Sequence, residues 1–353
     1  MANHFVAVDV GGTKILAAAV TEDGAILSRH KERTNRDSRK AMLDQLLSAI
    51  EKVIGDANLK TADLGGICLG VPGVVETTTG NVIFTPNAPL SKTPLGELIR
   101  KKFGVPTFIG NDVNLGTLGE CWLGAARGMK SAFGIFVGTG IGGGLVIGDR
   151  LIEGHRGLGG EIGHLLIPLE AGEFIGASGN KHLFLEDLCS RTAIENQLRH
   201  AILNEGQTSV LTEIAKDPKL KRIRSGELKK ALEKKDPLVT EVIRRSSYLL
   251  GLTTASVLHI VDPEVIVFGG GVIEGCGKWM LPVIEKTALR VAMPGTGKKL
   301  RIEQSILGDD AIILGGVALL RHHTGRRGPL TVFDFTEAPK RPAVAVDKPL
   351  SEG

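Results

Sequence analysis

Short apolar runs that stop at glycine recur along the chain, and they set its reading. Phe5–Val10 is such a run, ended by Gly11-Gly12, and Ile15–Val20 follows after a very short turn. Together they predict a β-hairpin with Thr13 and Lys14 at its bend. Leu43, Leu46, Leu47, Ile50 and Ile54 then fall at helical spacing over residues 40–54. Leu64–Leu69 is a second buried-strand candidate, stopped by Gly70-Val-Pro-Gly73. Leu95–Phe103 predicts a short helix, and Pro106–Ile109 a strand running into Asn111-Asp112.

The pattern then restarts. Ala132–Val137 predicts a strand, Gly138-Thr-Gly-Ile-Gly-Gly-Gly144 a turn, and Leu145–Ile147 a strand, in the layout of the first hairpin. Repetition of one supersecondary unit suggests two related domains facing each other. Pro237–Ile260 predicts a long helix, Val265–Phe268 a strand leading into Gly269-Gly-Gly271, and Ala311–Leu320 a closing helix. Strands alternating with helices point to an α/β class.

The 353-residue length exceeds the usual single-core size. The expected division is a small N-terminal α/β domain over 1–118, completed by the helix near 311–322, a large α/β domain over 119–310, and a loosely packed tail over 325–353. The 47 glycines exceed the average share of roughly 7% and gather at strand ends, as close backbone approach requires.

The net charge of +4 is mild and does not call for nucleic acid. The basic stretch from Lys216 to Lys235 is broken by Asp217, Glu227 and Glu233, and reads as a solvated helical face. Cys68, Cys121, Cys189 and Cys276 stand far apart, with neither disulfide nor zinc spacing. Met1–Val10 has no signal-peptide pattern, and the uncharged stretch 131–148 is broken by glycines, so no membrane span is expected. A cytoplasmic protein is the expectation.

The chemistry gathers at the strand ends. Glycines at Gly11-Gly12 let backbone N–H groups approach a phosphate, and Thr13 and Lys14 can donate to its oxygens. Asp9 could hold a magnesium ion directly or through water. Gly138-Thr139-Gly140 with Gly142–Gly144 is a second phosphate candidate, and Gly270-Gly271 could pass beneath a base or ribose. Asp112 follows a strand and could take a hydroxyl proton, although the local sequence also permits it as a helix N-cap. A sugar needs clustered donors and acceptors, and Asn87, Asn111, Asp112, Glu161, His164 and Glu186 would suit.

Asp9-Val-Gly-Gly-Thr-Lys14, Gly70-Val-Pro-Gly73, Asn111-Asp112-Val-Asn114, Gly138-Thr-Gly-Ile-Gly-Gly-Gly144, Gly160-Glu-Ile-Gly-His164 and Gly269-Gly-Gly-Val272 occur in an order that resembles the ROK family of sugar kinases and repressors, over about residues 5 to 320. The resemblance implies a two-domain actin-like (ribonuclease-H-like) ATPase fold with ATP and Mg²⁺ in an interdomain cleft. It implies Asp112 as catalytic base and sugar contacts from Gly73, Asn87, Asn111, Asp112, Glu161, His164 and Glu186. It further implies a homodimer and hexose phosphorylation at the 6-hydroxyl, with glucose foremost and fructose, mannose or N-acetylhexosamine as alternatives.

Two departures stand out. Gly110 replaces the glutamate that usually precedes Asn-Asp. Between His164 and Glu186 the family's cysteine zinc loop has no cysteine; Ser178, Asn180, Lys181 and His182 stand there instead. No structural zinc is therefore expected, and Phe174, Ile175, Leu183, Phe184 and Leu185 are available to pack the loop. A strand beginning near Phe5 leaves no preceding helix-turn-helix, which favours an enzyme over a sugar-responsive regulator. Polyphosphate is an alternative donor.

Overall fold

The computed structural model describes residues 4–148, 150–167, 184–296 and 300–325, together with the backbone at 331–332. The first half contains β1 (His4–Val10), β2 (Lys14–Thr21), β3 (Ile26–Arg33), α1 (Arg39–Asp56) and β4 (Leu64–Val71). The small strands β5 (Val74–Glu76) and β6 (Asn81–Phe84) follow, then α2 (Leu95–Phe103), β7 (Thr107–Asn111) and α3 (Asp112–Leu123). Its main sheet has the order β3-β2-β1-β4-β7. β1, β2 and β3 pair antiparallel, whereas β4 and β7 join parallel to β1.

The second half repeats this plan. It contains β8 (Ser131–Val137), β9 (Ile141–Ile147), β10 (Arg150–Leu151), α4 (Leu185–Cys189), α5 (Arg191–Leu203), α6 (Leu211–Ile214) and α7 (Ser225–Glu233). After these come α8 (Pro237–Val261), β11 (Val265–Gly269), α9 (Gly271–Val291), β12 (Arg301–Gln304), α10 (Asp310–His323) and β13 (Thr331–Val332). Its sheet runs β12-β11-β8-β9-β10-β13. Counted within each half, both sheets place the third, second, first, fourth and fifth strands in that order, with the same directions. The repeat visible in two hairpins thus extends to whole sheets.

Alternation within the buried strands explains the layers. In β1, Val6, Val8 and Val10 face a core shared with α1 and α2, while Phe5 and Ala7 face α3 and α10. In β11, Val265 and Val267 face that same middle layer, while Ile266 and Phe268 meet the core of α8 and α9. Both faces are covered, so these strands read as continuous apolar runs. The helices α3 and α10 lie between the sheets, and α3 touches strands of both. They cross so closely that a side chain at Gly315 would collide with the Leu115 carbonyl. Glu120 of α3 is fully buried and accepts hydrogen bonds from Ala125 N–H, Ser305 Oγ and Leu307 N–H, tying α3 to the chain that enters α10.

Helix starts follow local capping chemistry. Ser38 caps α1, Asp236 caps α8 ahead of Pro237, and Ser190 caps α5. One sequence expectation needs correction. Gly142, Gly143 and Gly144 belong to β9 rather than to a turn, paired with Phe136, Ile135 and Gly134. They are small because Val113, the Gly160 carbonyl and Thr117 press against them. The edge strand β3, with every second residue exposed, adds to the elements expected from the sequence. Of the expected tail over 325–353, only Gly325 and the two-residue strand β13, which pairs parallel with β10, fall within the described residues.

Candidate functional site

The strands β1, β4 and β7 run parallel and end together. Asp9 is level with Gly70, and Gly70 with Gly110. Asp9 and the β7–α3 junction are therefore two strand spacings apart, roughly 10 Å. Asn111 caps α3: its Oδ1 accepts from Val113 N–H at 2.9 Å and Asn114 N–H at 3.0 Å. Asp112 is thereby the first helical residue, and the cap is Asn111. Burial pushes the Asp112 carboxyl up to about 6, against hydrogen bonds from the Val113 and Asp112 backbone, with Glu161 adding a smaller upward push. Asp9 is pushed up to about 7, first by burial and then by Asp112. The two carboxyls share one field at the end of the sheet.

Asp9 is only 6% exposed. A buried carboxylate raised by a second one suits a hard divalent cation, whose charge would offset both. Among the described residues no group of three or more His, Cys, Asp or Glu side chains is gathered for a metal. Magnesium held by one or two carboxylates and substrate phosphates requires no such cluster.

The first turn, Gly11–Thr13, is braced by Thr34, whose Oγ1 donates to the Gly11 carbonyl at 2.6 Å. Lys14 forms an ion pair with Asp309, which also pairs with Lys31 at 2.8 Å. Burial alone would raise the Asp309 carboxyl; the hydrogen bonds from Lys14 and Lys31 bring it below its usual value. A side chain at Gly12 would meet Asn87 and the Arg36 guanidinium, so Asn87 lies against the first turn.

The second turn is Gly138–Gly140. Arg191 donates from Nη2 to Thr139 Oγ1 at 2.6 Å, and its N–H donates to the Gly138 carbonyl at 2.9 Å. Thr192 Oγ1 donates to the Thr139 carbonyl at 2.8 Å. Glu186 closes the back of this turn. Its Oε2 accepts from Ile141 N–H at 2.6 Å, and its carboxylate fills the space where a Gly140 side chain would go. Gly270, at a φ of 84°, packs on the Val137 backbone just before the turn and precedes Gly271, the first residue of α9. Positive φ and this close approach both call for glycine.

Glu161, His164 and Glu186 form one group. The Glu161 carboxyl is raised by burial, opposed by His164 and raised further by Glu186. His164 is exposed and stands edge-on to Phe184, with ring centroids 5.4 Å apart. Asn111 Nδ2 donates to the Gly73 carbonyl at 3.1 Å, so its amide is occupied by the cap and by Gly73. The structure thus gathers Asp112 with Asp9 and Glu161, and Glu161 with His164 and Glu186. Asn87 stands at the first turn. The sequence reading passed over Arg36, Arg191 and Asp309, which no local periodicity singles out.

The stretch between His164 and Glu186, where the cysteine loop is missing, falls mostly outside the described residues, including Phe174, Ile175, Ser178, Asn180, Lys181, His182 and Leu183. Its two described ends are joined. Leu166 bridges to Phe184, Leu185 N–H donates to the Leu165 carbonyl at 2.9 Å, and Leu185 is fully buried. The four cysteines form no disulfide and are all buried. No helix among the described residues is long and apolar enough to cross a membrane.

The chain is similar to a glucokinase of Halalkalibacterium halodurans, with 30% identity over 318 residues, covering 90% of this chain and 94% of the relative. Its fold is similar to that of a ROK family glucokinase from Streptomyces griseus in complex with glucose and AMPPNP (TM-score 0.77, 26% identity, 90% of this chain and 99% of that one). It is equally similar to a ROK family transcriptional regulator, a homologue of the E. coli MLC protein (TM-score 0.79, 26% identity, 91% of this chain and 78% of that one). Two repeated α/β halves in this arrangement are the actin-like ATPase fold. The ROK family profile matches residues 5–323, and the chain belongs to the ROK family.

Proposed function

We propose that this protein is an ATP-dependent hexose kinase that phosphorylates the 6-hydroxyl of a sugar, glucose foremost, with Asp112 as general base. One observation carries the reading. A carboxyl raised toward neutrality sits at the start of α3, close enough to both Asp9 and Glu161 to share their charge. A base between a phosphate site and a hydroxyl-binding site is what phosphoryl transfer to an alcohol requires. The glucokinase relatives support the same reading.

In this mechanism Glu161, His164 and Glu186 hold the sugar hydroxyls, with Asn87 and Gly73 beside them. Asp112 accepts the proton of the 6-hydroxyl as that oxygen bonds to the γ-phosphorus and the bond to the bridging oxygen of ADP breaks. Backbone donors of Gly11–Thr13 and Gly138–Gly140 take the phosphate oxygens, with Gly270-Gly271 under the nucleoside. Lys14, held by Asp309, adds positive charge beside the first turn. Asp9 would hold magnesium, which neutralises charge on the transferred phosphoryl group. The reaction takes place in the cytoplasm, and the enzyme acts as a homodimer.

The test is ADP release from MgATP across glucose, fructose, mannose and N-acetylhexosamines. Glucose should give the highest kcat/KM. Turnover with none of these sugars, while a sugar still binds, would favour the regulator reading suggested by the likeness to a transcriptional regulator.

A further inference from the structure

The two halves of the molecule also touch on the side of Glu161. The β5–β6 hairpin belongs to the first half, and the glycine-rich loop 152–160, which leads into Glu161, belongs to the second. Thr77, in the turn of the hairpin, donates from Oγ1 to Glu153 Oε2 at 3.2 Å. Gly157 of the loop lies so close to the hairpin that a side chain there would stand 2.6 Å from the Val75 carbonyl, and its φ of 69° also favours glycine.

Each end of this contact runs to a residue proposed to bind sugar. On the hairpin side, Gly73 packs against the Phe84 carbonyl, and its own carbonyl accepts from Asn111 Nδ2 at 3.1 Å, one residue before Asp112. On the loop side, the Glu153 carbonyl accepts from Gly159 N–H at 2.7 Å, and Gly160 lies against the Gly143 backbone of β9, immediately before Glu161. The circuit closes at its far end, where Glu161 is near enough to raise the Asp112 carboxyl. These residues therefore lie around a ring built by both halves, with Thr77 and Glu153 as a side-chain joint in it.

Glu153 is half-buried; burial raises its carboxyl, and the Thr77 hydroxyl lowers it. Withdrawing a carboxylate from water is unfavourable unless a donor compensates it. Without that hydroxyl the carboxylate would be drawn toward water, and the loop that carries Glu161 with it.

We propose that Glu153 is a positioning residue for the sugar: through Thr77 it fixes the loop bearing Glu161 and His164 against the hairpin that holds Asn111, and so sets the width of the sugar site. It touches no reacting atom. This role rests on the proposed binding of a sugar by Glu161 and His164, and it separates the grip on the sugar from the grip on the phosphoryl donor.

The test is calorimetric titration of glucose into the full chain, followed by steady-state kinetics with MgATP. Thr77→Val and Glu153→Ala should each raise the glucose Kd about tenfold, as loss of a hydrogen bond to a carboxylate does, with KM for glucose rising alike. KM for MgATP should not move, and kcat at saturating glucose should hold, because Asp112 and both phosphate turns are untouched. Glu153→Gln, whose amide oxygen still accepts from Thr77, should bind glucose as wild type does. The double variant Thr77→Val with Glu153→Ala should be no weaker than either single one, since both remove the same bond. Unchanged glucose affinity in both single variants, a parallel rise in KM for MgATP, failure of Glu153→Gln to restore affinity, or additive losses in the double variant would overturn the role while leaving the sugar site standing. A wild-type chain that binds no glucose would overturn both this role and glucose as the sugar. The expected binding pattern without any turnover would uphold the role and sink the kinase reading alone.

Discussion

Glu186 Oε2 accepts a hydrogen bond from the Ile141 backbone N–H at 2.6 Å, directly behind Gly140. The same carboxylate stands close enough to Glu161 to raise it. One side chain therefore joins the proposed sugar group to the Gly138–Gly140 turn. Glu186→Ala should raise KM for sugar and for ATP together, by about tenfold or more each, because it removes an acceptor and frees a turn N–H. His164→Ala should raise KM for sugar alone. Steady-state kinetics of both variants separate these outcomes; an ATP KM unchanged in Glu186→Ala would show that the turn does not depend on this contact.

Asp9 gives a pH signature in stability. Its carboxyl lies at about 7 in the folded protein against an ordinary value of 3.8. The folded state thus holds this proton more tightly than the unfolded chain does. The group's contribution is fully present below about pH 4, is lost as pH rises toward about 7, and is at its lowest above that. Asp9→Asn removes the loss, so its stability gain over wild type should grow from pH 4 to pH 8, reaching on the order of 2 kcal/mol. Denaturant unfolding at several pH values measures this. A difference that stays flat with pH would contradict the buried ionisable pair.

The missing cysteines predict the metal content. Structural zinc takes Cys and His ligands in a four-coordinate site. None of the four cysteines lies between His164 and Glu186; Cys68 and Cys121 are buried in the middle layer, and Cys189 and Cys276 in the second outer core. The purified protein should contain no stoichiometric zinc and keep its activity after zinc-selective chelation with Mg²⁺ restored. One zinc per chain by elemental analysis, lost together with activity, would overturn this.

Much of the fold could be read from local pattern, because strands buried on both faces make unbroken apolar runs, as β1 and β11 do. β3 escaped because one face of it is solvated and its apolar content is low. The glycines of β9 looked like turn residues because their reason is tertiary: Val113, Thr117 and the Gly160 carbonyl occupy the space a side chain would need. In the site, the strand-end positions of Asp9 and Asp112 follow from the sequence. The ion pair of Lys14 with Asp309 spans almost the whole chain and leaves no local trace. Arg222 lies in a stretch whose composition reads as a solvated face, and only its place beside the first turn distinguishes it.

The central claim is that Asp112 is the base. A positioned base contributes roughly 10²–10⁴-fold. The decisive measurement compares wild type with Asp112→Asn for turnover of glucose with MgATP, with glucose affinity measured on the same preparations. The account predicts a kcat lower by at least about 100-fold with glucose binding retained, and a wild-type kcat that falls as pH drops through about 6, where the carboxyl takes up its proton. An Asp112→Asn enzyme that turns over glucose at near the wild-type rate would contradict it.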